Sequence, residues 1–279
     1  MLLINSKVGH PLIHLAYAYE LNSREVGIEA IAMTASNYSF LHRYMDTPSY
    51  TKPSTYTTTS PLEILHKIHR DQRFDGISNH RGAASLAQLF NEHEDLILDH
   101  WNAWTIEDPK KQFQEAQEAA IALLVHTVDP GTHAYDFFLL HLVTTSNAIR
   151  VLLPFIPKKF HINLLRQWFL LVVTMYVTQS RPKINTDVSG KPTKQWNYID
   201  HKTLDSPWCL DSHFIKGDAT LSPWLLSANE DVGLRAIKEA AFTWGDVHEW
   251  YLAAAIKFAD GFGGWTGFGV TRDAAEDVS

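Results

Sequence analysis

The sequence predicts an all-α fold, a multi-helix bundle with a long irregular excursion near its C-terminal third. Apolar residues recur at helical rather than alternating spacing, helix caps and boundary prolines are frequent, and strand-like alternation is scarce. With 279 residues, 45% hydrophobic and 12% aromatic, the chain can bury a sizeable core. No repeat of fixed period or clear linker divides it, so residues 1–279 are expected to form a single helical domain.

From Pro11 to about Met45, the apolar set Leu12, Leu15, Tyr19, Ile28, Ile31 and Leu41 predicts one or two helices, broken near "LNSREVG". "TPSYTKPSTYTTTSPLE" (47–63) is too rich in Pro, Ser and Thr to be helical until its end. There Ser60, Pro61 and Glu63 predict a capping box that opens a helix through "ILHKIH". The loop "FDGISNHRG" follows. Helices are then expected over 85–100, 109–126 with Asp108 as cap, 133–153 and 160–179, with Pro154, Pro157 and Pro182 at boundaries. Residues 185–229 show little periodicity and form the irregular excursion, a length that suits covering a site. Two last helices, about 230–244 and 246–259, lead to "DGFGGWTGFGV".

A formal charge of −7, with Lys and Arg scattered, offers no basic stripe for phosphates, so nucleic acid is not an expected partner. The lone Cys209 has no internal disulfide partner and reads as packing, and a cytoplasmic, reducing location fits. "MLLINSKVG" lacks the apolar stretch of a signal peptide. The greasiest run, "WFLLVVTMYV", is about half a bilayer span, so no membrane is expected as a partner.

Fifteen histidines make the candidate sites. In a helix, His10, His14 and Tyr17 share one face, so both imidazoles could reach one metal ion, although the glutamate of a metalloprotease HExxH is absent. His141 lies on an apolar helix, where an imidazole needs a partner and where, joined to His10 and His14, it would complete a three-imidazole set. His66 and His69 read as a solvated face, while His93, His100, His126 and His133 read as structural. His248 sits at a helix start, and Lys238 and Lys257 read as stems lying along apolar helices. The glycines of "GFGGWTGFG" miss the GxGxxG spacing and no strand precedes them, which predicts an aromatic tail packed over the bundle.

The strings "GHPLIHLAYAYELNSREVGIEAIA", "MDTPSYTKPSTYTTTSPLEIL", "RFDG", "YDFFLLHLVTTSNAIRVLLP" and "LLRQWFLLVVTMYVTQSRP" resemble the questin oxidase-like family of fungal and bacterial oxidoreductases. The resemblance implies an O2-dependent, Baeyer-Villiger-like oxidation or opening of an anthraquinone-type aromatic polyketide in secondary metabolism, with NADPH. It further implies an all-helical fold with non-haem iron held by histidines and a carboxylated lysine. On this chain the family's histidines fall on His10 and His141, with His14 at a position that varies among relatives.

Two departures stand out. A further N-terminal section with an Asn-His element is expected in the family and is not seen before "HPLIH". The family's His-x-x-Lys element falls in "EDVGLRAIKEAA": Lys238 matches its lysine if Arg235 stands for the histidine, whereas a one-to-one match from Asp231 puts Gly233 and Ala236 at the two positions. The alternative reading is therefore a truncated, catalytically impaired homologue that binds a hydrophobic ligand or partner without turnover. A hydrolytic zinc enzyme fits less well, because no carboxylate has the spacing of a general base.

Overall fold

The computed structural model describes residues 9–36, 39–77, 85–128, 131–185, 192, 194–199 and 224–267. Among them are ten α-helices: α1 (His10–Leu21), α2 (Arg24–Ser36), α3 (Arg43–Asp46), α4 (Pro61–Arg70), α5 (Ser85–Asn102), α6 (Pro109–Val125), α7 (Phe137–Leu152), α8 (His161–Thr178), α9 (Trp224–Trp244) and α10 (Trp250–Gly261). The fold is all-α apart from two short strands, β1 (Ala134–Asp136) and β2 (Gly264–Thr266), which pair in parallel.

The centre of the bundle is α6, α7 and α8, with α4 and α5 against one side, α9 and α10 against the other, and the α1–α2 hairpin laid on α7. These central helices are buried almost all round, and Trp168, Phe169, Phe113, Leu142 and Ile121 have no exposed surface. Their polar residues are accommodated because their hydroxyls bond backwards along the helix. Thr145 Oγ1 donates to the His141 carbonyl at 2.6 Å and Ser146 Oγ to that of Val143 at 2.7 Å. The stretches Phe137–Phe155 and Lys158–Thr178 are, by length and composition alone, long and apolar enough to cross a membrane, which the ten-residue apolar run did not suggest. Most of each is buried inside the fold.

Several boundaries differ from those the sequence predicts. The break between α1 and α2 falls at Asn22, which adopts φ 49° in the left-handed region. Only half of the predicted capping box forms. Ser60 accepts from the Glu63 amide, but the Ser60 amide donates to Thr58 Oγ1, and Thr58 in turn donates to the Glu63 carboxylate. Asp108 caps α6 as expected, accepting from the Lys110 and Lys111 amides. Helix α7 starts four residues later than predicted because Ala134–Asp136 joins β2 and Asp136 takes the capping position.

Helix α9 begins at Trp224 rather than near 230, which shortens the excursion. Cys209 and most of 185–223 lie outside the described residues. His248 and Glu249 sit at φ 60° and 58°, so α10 starts at Trp250, and the Asp246 carboxylate reaches across to cap the Tyr251 and Leu252 amides.

Candidate metal centre

Helices α1 and α7 run side by side, and their first turns bring His10 and His141 together with Nε2 atoms 3.4 Å apart and ring centroids 4.9 Å apart. Gly9, at φ 87°, and Pro11 set the entry of α1 that delivers His10. The orientation of His141 is fixed at its other nitrogen. Nδ1 lies 2.8 Å from the Phe137 carbonyl, which can only accept, so Nδ1 carries the proton and Nε2 presents a lone pair towards His10. The Phe137 ring also meets the imidazole edge-on at 4.6 Å.

Asp136 anchors this turn. Its Oδ1 accepts from the Phe138 and Leu139 amides at 2.8 and 3.1 Å. Replacing Asp136 with alanine is expected to lower stability by about 1–2 kcal/mol, the usual loss for such a cap. It should also loosen the turn that carries His141; unchanged urea unfolding together with an unchanged His141 tautomer by NMR would contradict this.

The remaining predicted ligands go elsewhere. His14 is buried, but its Nδ1 lies 3.6 Å from Glu29 Oε2 on α2, so His10 and His14 turn to different neighbours of α1. Burial lowers the His14 pKa against the opposing pull of Glu29. Lys238 lies five residues beyond Gly233, about 140° round the helix from the position that meets Leu140. Its Nζ sits 5.6 Å from the centroid of Phe242, a ring that is 68% exposed, on the outer side of α9. Arg235, the alternative histidine position, pairs with Glu20 of α1 at 3.0 Å.

Two imidazoles bound at adjacent positions of a near-tetrahedral metal, with bonds of about 2.0–2.1 Å, have their nitrogens about 3.3–3.4 Å apart. The His10–His141 spacing fits that requirement for two ligands. Among the described residues, no group of three or more His, Cys, Asp or Glu side chains is arranged to hold a metal.

Beside the pair lies an aromatic wall. Trp265 on β2 meets Phe137 at 5.6 Å and Phe262 at 4.8 Å, held by the pairing of β2 with β1 and by Gly263 N–H donating to the His133 carbonyl at 2.7 Å. In its described part, residues 261–267, the C-terminal glycine-rich segment is therefore the packed aromatic tail predicted from sequence, with a strand that its composition did not announce.

The sequence profile of the Questin oxidase-like family matches residues 3–218. The chain belongs to that family. Its questin oxidase-like membership indicates an oxidoreductase role and covers α1–α8, including both histidines of the pair, whereas Lys238, α9, α10 and β2 lie beyond the matched stretch. No curated protein matches the chain.

A second polar cluster was not singled out by sequence. His100, only 2% exposed, accepts from the Tyr56 hydroxyl at Nδ1 (2.8 Å) and donates from Nε2 to Asp71 (2.9 Å), which Arg73 also holds at 2.6 Å. Asp99 takes Ser54 Oγ, the Thr55 amide and Thr55 Oγ1. Arg73 and His100 hold the Asp71 carboxyl far below the usual carboxylate range, while burial lowers the His100 pKa. Burial, with the charges of Asp99, Glu63 and Asp71, pushes the Tyr56 phenol well above its ordinary value, so it remains a donor rather than a nucleophile. The cluster ties the Pro- and Thr-rich strap to α5. The partners stand 44 and 29 residues from His100, a separation with no local signature. His69 is likewise no solvated residue: its Nδ1 donates to the Arg181 carbonyl at 2.8 Å.

Proposed function

We propose that this chain is an oxidoreductase that uses non-haem iron and O2 to oxidise or open the ring of an anthraquinone-type aromatic polyketide, with NADPH as reductant, in a reducing, cytoplasmic setting. The observation that carries this reading is the 3.4 Å approach of the His10 and His141 Nε2 atoms in a chain of the Questin oxidase-like family. When bound there, iron would supply redox chemistry towards O2. The chain's own residues have three tasks. The Phe137 carbonyl keeps the His141 proton on Nδ1 and its lone pair on Nε2. His10 and His141 converge from two helices locked together along their length, which fixes their separation. Half-buried Phe137, Phe138, Phe262 and Trp265 present flat apolar faces suited to stacking a fused-ring substrate and to keeping water from it.

A second reading is favoured by the pair being a two-ligand set among the described residues. Here the same aromatic wall binds a hydrophobic ligand without turnover. Metal analysis separates the two. Purified protein is expected to carry stoichiometric iron, and His10→Ala and His141→Ala are each expected to lose it, because one remaining imidazole leaves further coordination positions to water. Metal-free wild-type protein that still binds an anthraquinone would overturn the enzyme reading and leave the binding one standing.

A further inference from the structure

At the far end of α7 from the histidine pair, about 18 Å of helix beyond His141, the chain turns into α8 through residues 153–160. The junction is two single 3-10 turns, Leu153–Phe155 and Lys158–Phe160, and it is stiff. Pro154 and Pro157 restrict its backbone. The Ile156 amide donates to the Leu153 carbonyl at 3.2 Å and the Phe160 amide to that of Pro157 at 2.9 Å. His161 Nε2 donates to the Ile156 carbonyl at 2.8 Å, which closes the loop from the α8 side.

This stiff turn carries large apolar groups that the fold leaves uncovered. Phe155 is 61% exposed, and Phe160 and Ile162 are each 42% exposed. Pro154, Pro157, Lys158 and Lys159 are exposed between them, so the turn projects from the surface instead of lining a groove. Tyr19 of α1, itself exposed, meets Phe155 with ring centroids 4.5 Å apart and continues the apolar surface sideways. With the backbone tied at both ends, these side chains cannot retreat into the core. Contiguous apolar surface of this kind marks a place of contact.

The charge around them is one-sided. From Phe137 to Thr186 the chain carries no Asp or Glu, so all 31 of its acidic residues lie elsewhere. The arginines of that stretch are engaged: Arg150 with Glu239, Arg166 with Asn102 and the Trp104 carbonyl, and Arg181 with Asp75. Lys158 and Lys159 are exposed and have no ion pair among the described residues. Lys159 Nζ stands 4.9 Å from the Phe160 ring centroid, so cation and ring are presented together. On a chain of net charge −7, the tip is a local positive pole beside an apolar surface.

A partner that satisfies both features is layered, with anionic groups lying directly over an apolar interior. Aromatic rings and lysines favour that boundary, the rings for its apolar side and the ammonium groups for its phosphates. A second copy of the chain fits less well, because a two-fold contact through this tip would set two pairs of lysines against each other.

We propose that the α7–α8 junction is a docking surface for an anionic phospholipid bilayer. Phe155, Phe160 and Ile162 enter the headgroup boundary, and Lys158 and Lys159 lie against the lipid phosphates. Helices α7 and α8 keep most of their surface buried inside the fold, so the chain rests on the membrane without spanning it. The contact is independent of the chemistry at the histidine pair.

Sedimentation of the full chain with vesicles tests this, using phosphatidylcholine with about 30% phosphatidylserine, and phosphatidylcholine alone, at low salt. The chain should pellet with the anionic vesicles and bind the neutral ones about thirtyfold more weakly, the factor for two lysines near an anionic surface. Lys158→Gln with Lys159→Gln should lose about the same factor on the anionic vesicles. Phe155→Ser with Phe160→Ser should lose at least tenfold on them, through the lost apolar area. No pelleting with anionic vesicles, equal binding to neutral ones, or affinity unaltered in either double variant would each overturn the proposal. So would a lipid-free dimer that the phenylalanine variant abolishes, which would assign the surface to a second copy.

Discussion

Truncation of His100 to alanine is expected to destabilise the protein by about 2–3 kcal/mol, the range for losing a buried hydrogen bond to a charged group. The imidazole links the Tyr56 hydroxyl to the Asp71 carboxylate, and its loss would leave the Tyr56 hydroxyl without its acceptor and Asp71 with its Arg73 contacts. It would also remove one tie between α5 and the strap from Thr47 to Ser60, which Asp99 holds separately through Ser54 and Thr55. A fall in the urea midpoint no larger than that of an exposed histidine-to-alanine change would show that the cluster contributes little.

The same histidine sets a direction for pH. Its pKa is lower in the folded state than the value of about 6.5 in the unfolded chain, so below that value the unfolded state takes up the proton first. Stability is therefore full above pH 6.5 and declines as the pH falls through the window below it. The depressed carboxyl of Asp71 extends the loss to lower pH, since its contribution is present above the unfolded carboxylate value and disappears on protonation. His14 and His126, also held neutral by burial, act in the same sense. His100→Gln, which keeps a polar side chain but cannot titrate, should flatten the pH 5–7 part of a melting-temperature profile. An unchanged slope would remove His100 from that account.

Gly233→Val is expected to be the other severe change, costing about 3 kcal/mol or more. Gly233 lies where α9 crosses α7, and a Cβ there would stand 2.8 Å from Phe258 Cε1 and 2.9 Å from Leu140 Cδ1. Phe258 is wholly buried, so its ring has nowhere to retreat. Alanine is the informative control. It gains about 1 kcal/mol of helix propensity over glycine, which opposes the crowding and should leave a much smaller net loss. Because Leu140 precedes His141, valine should also displace the histidine pair, seen as a change in the His141 imidazole resonances. A valine variant that melts like wild type would mean that the helices separate there at little cost.

Gly233 also shows how the chain's residues divide between what is legible locally and what is not. In the alternative alignment it fell at a ligand position, yet the structure gives it a packing role, because only an absent side chain lets α7, α9 and α10 meet at that depth. The helices themselves were legible, since caps such as Asp108 and boundary prolines act on amides one to three residues away. The start of α7 was not, because it is displaced by pairing with a strand 130 residues later in the chain. His10 and His14 looked equivalent by spacing, but they lie about 40° apart round a helix flanked by two different neighbours. One reaches His141 and the other Glu29, a distinction that follows from which helices pack there.

By itself the sequence determined that this protein is a helical bundle, because periodicity, capping and propensity are local and each helix carries its own apolar surface. Family membership, too, is written in its order of residues. Only the tertiary structure decided that His10 meets His141 with a fixed tautomer and that His100 joins Tyr56 to Asp71. Those arrangements depend on directions and distances between helices far apart in the chain. Such geometry is selected by the joint packing of the core, which no single segment encodes.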